Sequence, residues 1–403
     1  MPFIIKINLR HSTTGGTIRT LRRYNNLVYN KKFNSLASTF SFDFYFDPRN
    51  QEHAEMICVT HLHEVRLYYT KNEDPLYEPN ASELELTGYM LLNKFKNDGK
   101  PHWVTCSGYA KPGVLLDCDI APESYPLETD GLTFRQIIAK LIRPFNLGLV
   151  ISKNATGVNI KVEEKDVEQK SDEDMGKTAA ESSQNIASYL SESARSRNIV
   201  LSHNEKGNVY ITTPNTNGTP IFNFDFTDES ENSDVKKIPG LDSELTFNGQ
   251  ALHSHITVKQ QADDQEGSNG SETTIRNPLL PVGKGLVYRP RVVVINAGDQ
   301  FTVGQAARYE LGKEIRDAVP LVISMAKIDI DGKIISPNNT IKMKDPNQFL
   351  YNSSVWFIQE VEIIANQNEE KSTLNCVMPF GYDYDLKKLK NVFVDAHANL
   401  PRF

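Results

Sequence analysis

The chain has 403 residues, long for one hydrophobic core, so two to four domains are expected. With 39% hydrophobic and 24% charged residues its composition is that of a soluble globular protein. The net charge of −7 lacks the basic excess of a dedicated nucleic-acid binder. No apolar run approaches the roughly 20 residues that span a bilayer, and the apolar start Met-Pro-Phe-Ile-Ile is too short for a secretion signal. Cys58, Cys106, Cys118 and Cys376 are far apart, without a Cys-x-x-Cys pair, and read as free thiols of a reducing cytoplasm.

Residues 1–107 read as β throughout. Phe3 to Leu9 alternates apolar and polar, and Gly15–Gly16 marks a turn. From Leu36 to Phe46, Phe40, Phe42, Phe44 and Phe46 recur at period two and share one strand face. Such a stripe serves as a barrel wall or sandwich face, or else as a carbohydrate-stacking platform. The usual fate of large apolar residues favours the core. Strands follow at 64–70, 83–96 and 102–108, which suggests a small antiparallel barrel or sandwich.

From Gly108 the character changes to α+β. A Pro112–Gly113 turn is followed by an irregular crossing through Pro122 and Pro126. Thr133 and Gln136 then have capping-box spacing before a helix carrying Phe134, Ile137, Ile138 and Leu141 on one face. Pro144 disfavours helix at Arg143 and so predicts a stop there. Strands are expected at 147–151 and 158–162, then a charged loop over 163–177. A second capping pair, Thr178/Glu181, opens a helix over 179–198 with Ile186, Tyr189, Leu190 and Ala194 inward and Arg195 and Arg197 in its last turn. A hairpin at 199–202 and 208–213 turns through Asn204–Gly207.

Residues 240–259 read as a hairpin-forming strand pair, and 260–274 as a polar loop. A strand at 292–296 precedes Gly298 and a third capping pair, Thr302/Gln305, whose helix carries Ala306, Leu311 and Ile315. Strand 319–328, a turn at Asp331–Gly332, and strands 355–365 and 371–377 complete the pattern.

Several of these phrases together resemble the baseplate hub family of long-tailed phages with contractile tails, whose Mu-type branch is the best known. Gly108 to Cys118 (Gly-Tyr-Ala-Lys-Pro-Gly-Val-Leu-Leu-Asp-Cys) is one, followed by Tyr125 to Leu132 and the helix ending in Pro144 and Phe145. Leu190-Ser191, Ala194-Arg195, Ile199 and Gly207-Asn208 form a second. Pro337, Asn338, Asp345, Pro346, Trp356, Val361, Glu362, Pro379 and Tyr382 form the third. The family's tryptophan before Pro-Asn is missing, with Ile335 near its place. The resemblance covers most of 20–385 and is loosest in the N-terminal third.

The resemblance implies a β-rich α+β fold with two small antiparallel β-barrels and α+β insertions. The first barrel would be 1–107 and the second 226–261 with 319–385. The α+β part would be 108–225 with 262–318, and 386–403 a C-terminal tail. It further implies a homotrimer adapting the hexameric tail tube to a trimeric central spike, beside other baseplate proteins and the tape measure protein. DNA would only pass through its channel. The chain would be made in the bacterial host cytoplasm and end in the virion tail baseplate. Hubs of contractile injection systems or non-contractile tails, and a glycan-binding or glycan-cleaving baseplate component, are the alternatives.

Candidate chemical sites are few. His61/His63 and His253/His255 would each share a strand face, but neither has an evident third ligand; Cys58 and Glu64 would lie on the wrong face of a regular strand. Glu83/Glu85 and Glu360/Glu362 are same-face carboxylate pairs, the residue type of glycosidases, yet wet strand faces carry such pairs without chemistry. No phosphate loop, Gly-x-Ser-x-Gly elbow or His-Glu-x-x-His occurs. A structural, non-enzymatic part is expected, with no catalytic, cofactor or metal residue assigned.

Overall fold

The structure is a computed structural model that describes residues 2–9, 17–58, 60–96, 102–124, 132–152, 185–195, 199–228, 230, 233–261, 270–280, 285, 287–295, 302–384 and 393. The expected Gly15–Gly16 turn, Pro126, strand 158–162, loop 163–177, capping pair Thr178/Glu181, Gly298 and all of the tail 386–403 except Phe393 lie outside them. The chain divides into two compact units: residues 1–213, 328–335 and 361–372, and residues 214–327, 336–360 and 373–403.

The first unit begins with seven strands: β1 (Phe3–Leu9), β2 (Thr17–Leu21), β3 (Asn25–Lys32), β4 (Thr39–Tyr45), β5 (Glu64–Tyr69), β6 (Leu84–Phe95) and β7 (Trp103–Ala110). They pair antiparallel in the order β3-β4-β7-β6-β5-β1-β2. No pairing of β2 with β3 closes this path into a barrel among the described residues. Phe40, Phe42 and Phe44 are buried, as a core stripe requires, while Phe46 at its end is half-buried and meets Phe95 edge-on at 5.9 Å.

Gly88 and Gly108 interrupt two of these strands for a packing reason. They flank the facing pair Tyr89–Tyr109, and the Phe40 ring rests over both glycines. A Cβ at Gly108 would run into the Tyr89 carbonyl and stand 3.0 Å from Phe40 Cζ. A strand glycine here marks close approach of another group.

The second part of this unit packs two helices on a small sheet. Strands β8 (Leu149–Ile151), β9 (Val200–His203) and β10 (Val209–Thr212) have β10 in the middle, parallel to β8 and antiparallel to β9. Helices Phe134–Ile142 and Ile186–Arg195 bury Phe134, Ile137, Ile138, Leu141, Ile186 and Leu190 in one core with Leu115, Val209 and Ile211. The Thr133/Gln136 capping box is formed in both directions, at 3.3 and 2.9 Å. The α-helix ends at Ile142 with Arg143 as its C-cap, the stop that Pro144 predicts. A separate 3-10 turn over Arg143–Phe145 follows and ends on Asn146 in the left-handed region, φ 53°. A proline near the start of a new turn lacks only a donor that the turn leaves free.

Most of the remaining strands lie in the second unit. Strands β11 (Asn223–Asp225), β12 (Asp242–Leu245), β13 (His255–Gln260), β14 (Glu272–Arg276), β15 (Pro290–Ile295) and β16 (Leu321–Met325) precede the small hairpin β17 (Asp329–Ile330) and β18 (Lys333–Ile334). That hairpin belongs to the first unit and turns through Asp331 and Gly332 at φ 49° and 79°, the positive φ pair of a type I′ turn. Strands β19 (Thr340–Asp345), β20 (Leu350–Ala365) and β21 (Glu370–Val377) follow.

Strands β12, β16, β21, β20, β19 and β11 pair in that order as part of a 13-stranded sheet in which β20 also pairs with β3, and residues 361–372 at the end of β20 and the start of β21 belong to the first unit. A separate sheet runs β14-β13-β15 beneath the helix Val303–Ala318, which buries Ala306, Leu311 and Ile315. The expected hairpin over 240–259 does not form. Strand β12 pairs with β16, and β13 with β14 and β15, because Asn248 is bound to the Ala318 carbonyl and Ser254 to that of Arg289.

Gly108→Ala should lower stability by about 2 kcal/mol through overpacking against Tyr89 and Phe40. Thermal and denaturant unfolding of the variant beside Gly249→Ala, where a Cβ meets open space, checks this. Equal losses would remove the close-approach account.

Candidate functional site

The Gly108–Cys118 phrase folds as a lock on the first sheet rather than as a reaction centre. After β7 the chain makes a 3-10 turn at Lys111–Gly113 and a short helix Val114–Asp117 in place of a simple Pro-Gly turn. Pro112 and Gly113 are buried, and the Tyr109 ring lies where a Gly113 side chain would stand. The Tyr109 hydroxyl donates to Asp117 at 2.5 Å.

Lys111 is the charged member of the phrase, and it reaches back to Glu64 at the start of β5. Arg66 holds the same carboxylate at 2.8 Å, and Glu64 is only 5% exposed. Burial alone would raise the Glu64 carboxyl, but Lys111 and then Arg66 outweigh it and hold the group below its ordinary value. Lys111 also lies over the Tyr89 ring at 5.8 Å and against Gly207, whose φ of 77° makes the turn between β9 and β10. The first two family-like phrases therefore meet at one lysine.

The third phrase forms a comparable lock in the second unit. Trp356 is fully buried, and its Nε1 donates to Ser354 Oγ at 2.9 Å, which in turn donates to the Met343 carbonyl at 3.1 Å. Asn338 adopts φ 64° and accepts the Asn215 N–H at 2.8 Å. Asp345 caps the turn at Pro346 by accepting from Asn347 N at 2.9 Å. Tyr382 meets Phe357 at 4.9 Å, and Arg316 stacks on its ring at 4.8 Å while donating to the Gly381 carbonyl. Every one of these groups is used in packing or capping.

The paired residues singled out in the sequence separate. Glu83 closes the capping box of the turn Ala81–Glu83 and accepts from Tyr77, whereas Glu85 pairs with Lys31 at 2.8 Å, so they do not act on one face. Glu360 and Glu362 do remain on one face of β20, both half-buried. His253 lies before β13 and binds Glu314 at 2.7 Å, whereas His255 turns to Ser254 Oγ at 3.0 Å. Glu314 also receives Arg291 at 3.0 Å, and Arg291 reaches Glu310 at 3.2 Å. His61 and His63 stack in parallel at 5.9 Å in a turn before β5, not on a strand. Among the described residues no group of three or more His, Cys, Asp or Glu side chains is placed to hold a metal ion.

That turn overturns one expectation. Cys58 does reach His61, at 3.1 Å, because residues 58–61 are folded back by a bond from His61 N–H to the Cys58 carbonyl. The Cys-x-x-His spacing was the signal in the sequence, hidden by reading the segment as a regular strand. Among the described residues of the first unit the exposed aromatics are Tyr45, Phe95 and Trp103, and Tyr45 and Trp103 pair at 6.0 Å with 46% and 43% exposure.

No family model matches the chain, and no curated protein matches it. Solved structures do. A 43 kDa tail protein of prophage MuSo2 from Shewanella oneidensis superposes with a TM-score of 0.69 at 14% identity, covering 95% of this chain and 99% of that one. A tail protein from Neisseria meningitidis MC58 gives 0.66 at 12% identity, with 94% and 96% covered. A chain of the Francisella PdpA-VgrG complex gives 0.54 at 7% identity, covering 94% of this chain but 52% of its own length. The chain has the fold of these phage-tail and VgrG-type proteins.

Lys111→Met should cost about 2 kcal/mol by leaving the buried Glu64 carboxylate with Arg66 alone. The folded carboxyl titrates below its ordinary 4.5, so its contribution is present above that pH and is lost as pH falls through the lowered value. Urea unfolding across pH 3 to 7 should show a smaller loss on acidification for the variant than for the parent. Identical acid profiles would mean that Lys111 does not set the Glu64 titration.

Proposed function

We propose that the chain is the structural baseplate hub of a phage tail, a homotrimeric adaptor between a hexameric tail tube and a trimeric central spike. The observation that carries this reading is the shared fold with prophage tail proteins over nearly the full length of both chains. Fold alone does not assign function, and the second support comes from the site chemistry. Lys111, Tyr109, Asn338, Asp345, Trp356 and Tyr382 of the family-like phrases are engaged in ion pairs, caps and ring packing, which fits a part selected for shape.

A trimer with two β-rich units per subunit would offer six similar modules to a six-fold tube and three equivalent faces to a spike. A six-fold and a three-fold surface cannot match one another without such an adaptor. The strands of the two units, curving together with those of neighbouring copies, would supply the barrel-like walls of that ring. The partners would be the tube protein, the spike, other baseplate proteins and the tape measure protein, and DNA would pass through the channel without being retained. No helix among the described residues is long and apolar enough to cross a membrane. The same architecture suits a contractile injection system, a reading favoured by the match to the PdpA-VgrG complex.

Light scattering of the purified chain, alone and co-expressed with a candidate spike, tests the adaptor. The expected mass is three times the 45.5 kDa monomer, about 137 kDa, closed by cyclic symmetry. A monomer or dimer under both conditions would remove the adaptor role.

A further inference from the structure

The four cysteines differ sharply in surroundings. Burial pushes the Cys106 thiol up to about 12 and raises that of Cys376 further. Cys118 is raised as well, by partial burial and then by the neighbouring Asp117 and Asp119. Cys58 is half-exposed and sits in the turn between the helix Gln51–Met56 and β5.

That turn closes a small cluster around the sulfur. Cys58 Sγ lies 3.1 Å from His61 Nδ1 and 3.2 Å from Thr60 Oγ1, and Thr60 Oγ1 lies 3.1 Å from the same imidazole nitrogen. His61 is backed by the parallel ring of His63, which is itself anchored to the Glu55 carbonyl at 2.9 Å. The nearby carboxylates of Glu52 and Glu55 are turned to Arg19, at 3.0 and 3.3 Å, rather than to the sulfur. The hydroxyl of Thr60 and then the imidazole of His61 pull the Cys58 thiol down from 9.0 to about 7.

We propose that Cys58 and His61 form a nucleophile–base pair that makes Cys58 a modification site for small disulfides. His61 Nδ1 takes the thiol proton, and the thiolate attacks one sulfur of a disulfide R–S–S–R. The bond from Cys58 to that sulfur forms as the R–S–S–R bond breaks. The departing R–S⁻ takes the proton from the imidazolium. Cys58 is oxidised and the incoming disulfide is reduced, so no other reagent takes part. The product is a mixed disulfide on an exposed turn of the first sheet, and a small thiol reverses it by the same exchange.

The native full-length chain mixed with dithionitrobenzoate, an aromatic disulfide that releases a coloured thiolate, tests this directly. One thiol per chain should react quickly, with a rate that is half-maximal near pH 7. Cys58→Ser should abolish that phase, leaving slow reaction at the half-buried Cys118 and reaction of Cys106 and Cys376 only on unfolding. His61→Gln should slow it roughly five- to tenfold at neutral pH, since lost thiolate outweighs the gain in intrinsic nucleophilicity, and should move the midpoint toward 9.0. Thr60→Val, which keeps the imidazole, should shift the midpoint in the same direction and covers the case in which His61→Gln fails to fold. A parent midpoint near 9.0, or a fast phase that survives Cys58→Ser, would overturn the assignment.

Discussion

The first unit depends on the buried ion pair between Lys111 and Glu64. Lys111 leaves the end of β7, where a 3-10 turn aims it across the sheet, and meets Glu64 at the beginning of β5. Strands β7 and β5 are not neighbours, since β6 stands between them. The pair therefore fixes the sheet across three strands as well as tying the helical part to it. A buried carboxylate is tolerated only when its oxygens are occupied, and Lys111 with Arg66 meets that condition. The aliphatic stem of Lys111 packs against the Gly207 turn, so one side chain serves both parts of the unit.

Glycines make this approach possible. Gly88 and Gly108 leave a shallow floor on which Phe40 lies, and the backbones of β6 and β7 approach closely there. Arg316 has a similar role in the second unit, binding the Gly381 carbonyl and covering Tyr382. In both units, then, a cation and an aromatic ring close the end of a sheet.

Reactivity is found instead in a turn. Cys58 is distinguished from the other cysteines by how the backbone between a helix and a strand is folded, which places sulfur, hydroxyl and imidazole within hydrogen-bond distance. The other paired residues were dispersed by their local structure. Glu83 went to a cap, His253 to a buried glutamate, and His63 to a backbone carbonyl.

The sequence by itself determined the local elements, because their causes are local. Capping boxes at Thr133 and Thr302, the period-two aromatics of β4 and the Asp331–Gly332 turn each depend on neighbours within a few residues. The β-rich α+β class followed from them. Tertiary structure alone decided the pairings, sending β12 to β16 and β13 to β15 across gaps that no local rule spans. It also decided that a 3-10 turn carries the chain on from Ile142 to Asn146. Periodicity reports which face of a strand is apolar, but the partner along its edge is chosen by hydrogen bonds between residues distant in the chain. The Lys111–Glu64 pair and the Cys58–His61 turn needed the folded backbone to bring their charges and atoms together.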